Sequence, residues 1–512
     1  MASYFSWRYI YFLTIGLRFL FALSDSYIHP DEHFQSVEVM SEFLGFTNKK
    51  PWEFTSDLPA RSYGPLFLFY GPVFAIVRGM GVQLSPLVIW YLARLQFMIL
   101  TWIVTDTCIF RMLPTKQERI KAIFFVSTSY VTHVYQSHCF SNSIETWLVM
   151  LGTLIIDNLR YNQDSKRPEI RSRPEYFNVF ALGAILAVGI FNRVTMPAFF
   201  LVPSWFVLKH IWLHPLSAIV GIFGFIVPAL TFVWIDTKMF GSMNSTPIIT
   251  PLNNLIYNSS YDNLSHHGIH PFYTHILVNL PQLLGPSGIV YLFWKFKNDY
   301  WKTTPFLTAF SGILVLSIVP HQELRFLIPV IPLLSCCFDL RPFTGKNKVA
   351  YFAKPLLWIW YAFNIVLAVL MGIYHQGGVV PGLEHIRTES QSNIIPKTYI
   401  WWRTYSPPVW LLGDKKRHVQ TLDIENGVLS GTVDGNKNII IIDAKGTDIK
   451  NLEPFLVKGN YIVTPSASFE TELSDIVQAN LTWFHSAHCD LDHLDLSNYK
   501  TLKPGLGIYE LL

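Results

Sequence analysis

The sequence predicts a polytopic α-helical membrane protein with about 11 transmembrane helices, helices lying at the lumenal membrane interface, and a small C-terminal mixed α/β domain. Three observations predict it. The 512 residues are 51% hydrophobic and only 14% charged, against the ~25% charge of soluble domains. Apolar stretches long enough to cross ~30 Å of hydrocarbon recur through the first three quarters of the chain. Charge is also unevenly placed: residues 376–512 hold 12 basic and 16 acidic side chains, while the far longer stretch before them holds 27 and 19. A net charge of +4 argues for no nucleic-acid partner, which would need basic residues clustered on a surface. The five cysteines, Cys108, Cys139, Cys336, Cys337 and Cys489, are too scattered for a disulfide framework or a zinc spacing.

Residues 7–27 form the first span. Arg18 interrupts them and no small-residue cleavage site follows, so they read as an uncleaved helix rather than a removed signal. Further spans are expected at 84–110, 120–138, 143–160, 176–195, 197–213, 216–235, 276–294, 304–320, 324–340 and 350–374. Basic loops near helix ends favour the cytoplasm, and four stand out: Arg111 to Lys121, Lys166 to Arg173, Lys295 to Lys302 and Arg341 to Lys354. All four share one side only if residues 65–82, broken by Gly71 and Pro72, lie at the interface without crossing. That parity divides the chain into a transmembrane module, 1–375, with lumenal loops at 28–83 and 236–275, and a lumenal C-terminal domain, 376–512. The sequons at Asn244, Asn258, Asn263 and Asn480 all fall on the lumenal side as possible glycosylation sites. In the C-terminal part, Asn438 to Asp443, Tyr461 to Thr464 and Leu481 to Phe484 are short β-rich runs bounded by Gly, Asn and Pro.

Polar chemistry gathers at three lumenal span ends. The first is Tyr27-Ile28-His29-Pro30-Asp31-Glu32-His33, after which Phe34, Val37, Met40 and Leu44 recur at helical spacing. Pro30 suits the start of that helix, so Asp31 and Glu32 occupy its positive end. There they either complement the dipole, worth ~0.3–1 kcal/mol, or supply a base for an acceptor hydroxyl. Neighbouring helical residues point ~100° apart, so the two acids serve different roles; Asp31 is the expected base. The second cluster runs from Ser265 to His275 and includes His267, His270 and Tyr273. Its spacing is not that of a helical zinc pair, so no metal is expected. It reads either as a loop that hydrogen-bonds sugar hydroxyls or phosphate, or as an ordinary solvated loop. The third is His321-Gln322-Glu323-Leu324-Arg325. A lone arginine there could simply snorkel, but arginine also forks onto phosphate oxygens, with Glu323 to hold it. Asn142 and Glu145 read first as a helix cap with its acid, and Arg193 as an interfacial anchor; all three could line a cavity. Arg94, Asp106 and Asp157 are expected to be buried structural partners.

At His29-Pro30-Asp31-Glu32-His33-Phe34-Gln35-Ser36 the sequence resembles the lumenal mannosyltransferases that use dolichyl phosphate mannose, a branch of the polytopic GT-C glycosyltransferases. The likeness extends to Tyr135–His138 with Ser141–Thr146, to Thr250-Pro251-Leu252-Asn253-Asn254-Leu255, to His267–Pro271 and to His321–Phe326. The His-Pro-Asp-Glu form looks like the enzymes of glycosylphosphatidylinositol (GPI) anchor assembly. The run from Pro251 to Asn258 looks most like the fungal branch that adds the fourth, side-branching α1,2-mannose; the third-mannose enzymes are close siblings, and N-glycan mannosyltransferases are more distant ones. That family usually carries His-Lys-Glu where this chain has His321-Gln322-Glu323, which leaves more of any phosphate contact to Arg325.

The resemblance implies inverting mannosyl transfer at the lumenal face of the endoplasmic reticulum membrane. The donor would be dolichyl phosphate mannose, the acceptor a GPI precursor, and no metal or other cofactor is expected. Asp31 or Glu32 would be catalytic, and His29, His267, His270, Tyr273, His321, Glu323 and Arg325 would bind the donor sugar and phosphate. The rival class is a secondary transporter of a polar solute, but no internal repeat is visible and the large polar loops all lie on one side. A catalytically idle scaffold is the third reading.

Overall fold

Among the described residues, five helices are long and apolar enough to cross a bilayer: Pro86–Met112, Pro168–Asn192, Leu216–Met239, His275–Phe293 and Val349–Tyr374. This computed structural model describes residues 7–81, 84–241, 246–260, 262–263, 268–294, 299–343, 348–392, 396–413, 418–425, 427–493 and 498–512. Leu216–Met239 shows most plainly what surrounds them. It presents Ile219, Phe223, Leu230 and Trp234 outward as exposed side chains, an apolar surface that lipid covers and water would not.

The other expected spans are built from shorter or more polar pieces, and in two of them the reason is proline. The stretch 197–213 divides into Met196–Phe200 and Ser204–Leu213 around Pro203, and 324–340 divides into Leu324–Leu327 and Val330–Cys337 around Pro329. Proline lacks the amide that would continue the ladder and its ring crowds the carbonyl four residues back. Lys116–Thr128 stops at Ser129, whose backbone is extended. Trp7–Ala22 has 16 residues, and Ser141–Asp164, though 24 residues long, carries Glu145, Asp157 and Arg160 along its length. Residues 65–82 break between Tyr63–Phe69 and Gly71–Gly79, just ahead of Pro72.

The chain forms two compact units. The first comprises residues 1–19, 52–69 and 96–366, the second residues 20–51, 70–95 and 367–512.

In the first unit, Tyr176–Asn192 and Leu216–Met239 lie backbone against backbone. A Cβ on Gly183 would stand 2.1 Å from the Gly221 carbonyl oxygen, and one on Gly224 would stand 2.2 Å from that of Phe180. Small residues let transmembrane helices approach this closely. Near the end of the second helix, Asp236 accepts hydrogen bonds from Ser62 Oγ (3.0 Å), the Tyr63 amide (2.8 Å) and Thr250 Oγ1 (2.9 Å). Asn253 and Asn254 donate to the carbonyls of Pro59 (3.0 Å) and Ala60 (3.3 Å). The Thr-Pro-Leu-Asn-Asn motif is therefore a brace for the 59–63 loop.

The second unit is built on a seven-stranded mixed sheet of β1 (Lys397–Trp402), β2 (Val419–Glu425), β3 (Val428–Leu429), β4 (Ile439–Lys445), β5 (Tyr461–Pro465), β6 (Ala479–His485) and β7 (Leu506–Leu511) in the order β3-β2-β4-β1-β5-β7-β6. β2, β4, β1 and β5 run parallel, while β3, β7 and β6 each pair antiparallel with a neighbour. The Ile439-Ile-Ile-Ile run is buried on both faces, the pattern of a covered parallel strand. Ile400, Trp402, Ile440, Ile442, Ile462 and Leu511 share one core on one face, and the helix Val379–Ser392 brings Gly382 to Trp401 on the other.

Candidate active site

In the second unit the chain becomes helical at Asp31, directly after Pro30. The Glu32 amide donates to the His29 carbonyl, and the amides of His33 and Phe34 to that of Pro30. The helix widens into a π-helical turn over His33–Val37 and ends at Gly45, whose φ of +76° terminates the last turn without a Cβ penalty. His33 is fully buried. Its ring stacks on Trp90 at 5.3 Å, and its Nδ1 accepts from Trp410 Nε1 at 3.2 Å.

The two acids then differ completely. The Asp31 side chain is 19% exposed and its Oδ1 lies 3.6 Å from His29 Nδ1, which also accepts the Asp31 amide at 3.2 Å. Glu32 has no exposed surface; its Oε1 lies 3.2 Å from Arg94 Nε, and that guanidinium is equally buried, lying 4.2 Å over the Trp90 ring. Only one of the pair is accessible to a substrate, and it is Asp31. Arg94, expected as a structural partner, has that role and sets the chemistry of its neighbour.

Further along the same segment, Glu38 is fully buried, where it accepts the Lys49 amide at 2.8 Å and a second hydrogen bond from the Trp410 backbone. Burial pushes its carboxyl up to about 8, against only partial relief from those two bonds and the Lys49 charge. Lys49 reaches Asp423 on β2 and Asp443 on β4 (3.4 Å), which face each other across the parallel pair. Burial disfavours the Lys49 charge, but the two aspartates outweigh it and hold the ammonium above its ordinary range. Sequence reasoning missed Glu38, Lys49, Tyr405 and Trp410, none of which stands in a recognisable pattern.

In the first unit the His-rich loop and the Glu-Leu-Arg corner come together. The His270 amide donates to the Pro320 carbonyl at 2.8 Å and the Gln322 amide to His270 Nδ1 at 3.3 Å. His321 shares hydrogen bonds with the Gly268 carbonyl (3.0 Å) and with Glu323 Oε1 (2.7 Å), and Arg325 Nε binds the other oxygen of Glu323. Burial disfavours a charge on His321, but the hydrogen bond and charge of Glu323 and the Gly268 carbonyl prevail, so the imidazole titrates above its ordinary 6.5. Gln322, standing where the family usually has lysine, is buried; its carboxamide accepts the His275 amide at 2.9 Å and donates to the Ser317 carbonyl at 2.9 Å. It ties the loop to the corner.

Asn142, Glu145 and Arg193 join this assembly. Arg193 Nε lies 3.3 Å from Glu145 Oε2, its Nη1 donates to Asn142 Oδ1 at 3.4 Å, and Thr195 Oγ1 donates to Glu145 Oε1 at 2.8 Å. The Arg193 guanidinium stacks 4.8 Å over Phe326, whose ring also meets His321 at 5.6 Å. Arg193 is thus a buried partner of Glu145. Tyr273 is exposed and packs edge-on against Phe272 at 5.6 Å. His267 and the sequon residue Asn244 lie outside the described residues.

The fold defines the class. The crystal structure of ArnT from Cupriavidus metallidurans bound to undecaprenyl phosphate matches 98% of both chains with a TM-score of 0.53 at 11% identity, so the two chains share a fold. Residues 9–412 match the Alg9-like mannosyltransferase family, and the chain belongs to that family. It is 49% identical to the GPI mannosyltransferase 4 of Debaryomyces hansenii over 99% of both chains. It is 48% identical to that of Candida albicans over 99% of both, and 37% identical to that of Saccharomyces cerevisiae over 100% of this chain and 99% of the other. The chain is therefore an enzyme, a mannosyltransferase, and the transporter and scaffold readings fall away.

Proposed function

We propose that the chain transfers mannose from dolichyl phosphate mannose to a GPI anchor precursor at the lumenal face of the endoplasmic reticulum membrane, adding the fourth, side-branching α1,2-mannose to the third. The full-length identity of 49% to the GPI mannosyltransferase 4 of D. hansenii carries this reading. The lipid phosphate bound in ArnT belongs to the same chemical class as the dolichyl phosphate released here.

A β-linked donor giving an α-linked product requires a single in-line displacement. The acceptor hydroxyl loses its proton to the Asp31 carboxylate as its oxygen bonds to C1 of the mannose. The bond from C1 to the phosphate oxygen breaks, and its electron pair leaves with dolichyl phosphate. One general base suffices. Exposure of Asp31 and burial of Glu32 against Arg94 support Asp31 in that role. Phosphate is already a tolerable leaving group, so the charge developing on it needs only positioned cations and donors. Arg325 and a protonated His321, oriented by Glu323, supply them, with His270 and Gln322 holding the corner in shape. No metal step forms part of the proposal. Both substrates are lipid-borne, so anchoring in one membrane restricts their search and helps to orient them.

The test is transfer in vitro from dolichyl phosphate mannose to GPI precursors bearing two or three mannoses, with the parent beside Asp31→Asn. Transfer to the three-mannose acceptor by the parent and its loss in the variant is the expected result. Transfer to the two-mannose acceptor would assign the chain to the third-mannose step instead.

A further inference from the structure

The segment that follows β1 has no part in the reaction as described, yet it lies along the acid-bearing helix. The chain turns at Arg403, with φ of +57°, and places Tyr405 against two residues that precede Asp31. The Tyr405 ring meets that of Tyr27 at 5.6 Å and that of His29 at 6.3 Å, and Tyr27 Oη donates to the Ser406 carbonyl at 3.0 Å. Tyr405 is itself fixed from behind. Its amide donates to Gln376 Oε1 at 3.2 Å, and its hydroxyl shares a 3.2 Å hydrogen bond with Nε2 of the buried His375. Gln376 in turn donates from its side chain to Asp490 Oδ1 at 3.2 Å and from its backbone amide to the Cys489 carbonyl at 3.1 Å. His29 is the link to the base, because its Nδ1 accepts the Asp31 amide and stands 3.6 Å from Asp31 Oδ1.

We propose that Tyr405 is a positioning residue for the transfer reaction: anchored on His375 and Gln376, its ring fixes His29, and His29 fixes the backbone that carries the Asp31 carboxylate. The inference rests on the reading of Asp31 as the base and gives the C-terminal part of the chain a role in the chemistry. The bond to His375 holds the phenol oxygen in place, and the edge-on contact with Tyr27 sets the plane of the ring that the half-buried His29 imidazole meets. Misplacing a reacting group by about 1 Å can cost about 10²-fold in rate, so the signature of this role is a fall in kcat without a matching change in substrate affinity.

The experiment uses the full-length protein in lipid nanodiscs with dolichyl phosphate mannose and the three-mannose GPI precursor, and it compares the parent, Asp31→Asn, Tyr405→Ala, Tyr405→Phe and His375→Gln. Tyr405→Ala is expected to lower kcat about 10²-fold with the KM of both substrates nearly unchanged. Tyr405→Phe keeps the ring and loses only the tie, so it should fall between the parent and Tyr405→Ala at the parent's melting temperature, with His375→Gln matching it. Should Tyr405→Ala fail to fold, the Tyr405→Phe and His375→Gln pair carries the test alone. Parent-like kcat in both of these variants, or a loss confined to KM, overturns the inference. A parent that transfers no mannose overturns the proposed function itself, whereas an active parent with an inactive Asp31→Asn and parent-like Tyr405 variants overturns this inference only. An active Asp31→Asn removes the base assignment and this inference together.

Discussion

Glu32 Oε1 and Arg94 Nε lie 3.2 Å apart with no exposed surface on either side chain. Arg94 also donates to the carbonyls of Ser24 and Ser26 and covers Trp90, so the pair fastens the start of the acid helix to the helix Pro86–Met112. Removing one member of a buried pair strands the other charge, at a cost of about 3–5 kcal/mol. Arg94→Met should therefore lower the melting temperature of the detergent-solubilised protein severely, and adding Glu32→Gln should recover most of the loss. Asp31→Asn should leave the melting temperature alone while abolishing transfer. Arg94→Met melting with the parent would show that the pair contributes nothing to stability.

Glu38 offers a test through pH. Its carboxyl holds its proton up to about 8 in the folded chain, against 4.5 ordinarily. Between those values the folded state binds the proton more tightly than the unfolded one, so stability falls as pH rises through the window. Glu38→Gln has no proton to lose. Its advantage over the parent should be small at pH 4.5, grow to about 3 kcal/mol by pH 7 and level off above pH 8. Thermal melts of the two proteins across pH 5 to 8 check this, and parallel curves would mean that Glu38 is ionised in the folded protein.

How much of this was legible beforehand depended on sequence distance. Asp31 and Glu32 could be placed at a helix start because Pro30 and the spacing of Phe34, Val37 and Met40 are local signals. The difference between the two acids was not legible, since it depends on Arg94, 62 positions away in the chain. His321 meets Gly268 across 53 residues, and Lys49 meets Asp423 across 374; no periodicity reports contacts of that kind. Two of the eleven expected spans, 197–213 and 324–340, come from summing hydropathy across Pro203 and Pro329, where the backbone in fact breaks. Gln322 looked like the loss of a cation, and only its bonds to His275 and Ser317 reveal a structural role. Tyr405 carries no signal at all within Trp-Arg-Thr-Tyr-Ser-Pro-Pro.

His321 carries a pH dependence of the opposite origin. Its folded-state pKa is raised by Glu323 and the Gly268 carbonyl despite burial, so the charge and the stability it contributes are fully present below 6.5 and disappear as pH rises through the raised value. If the imidazolium helps to hold the donor phosphate, the KM for dolichyl phosphate mannose should climb across that rise. His321→Gln should show a flat KM, raised at the acidic end by about tenfold, the effect of one charge-assisted hydrogen bond. A parent KM that does not change with pH would remove His321 from phosphate binding.

The sequons offer a readout of which side of the membrane the second unit occupies. Asn480 is exposed on β6, one of the two edge strands of the sheet, with Leu481 and Phe484 exposed beside it. Asn258 and Asn263 use their Nδ2 atoms internally, the first donating to Asn254 and the second to the Tyr257 carbonyl at 3.0 Å. A glycan nitrogen can keep only one hydrogen, so modification there competes with the local structure, whereas a glycan on Asn480 would stand over a strand edge that is otherwise open to pairing with another chain. With the C-terminal part in the lumen, the protein from a eukaryotic host should shift in mobility on endoglycosidase H treatment. Asn480→Gln should remove a glycan that Asn258→Gln and Asn263→Gln leave in place. A protein whose mobility neither the enzyme nor Asn480→Gln alters would place β6 on the cytoplasmic side and reverse the orientation on which Asp31 depends for its substrates.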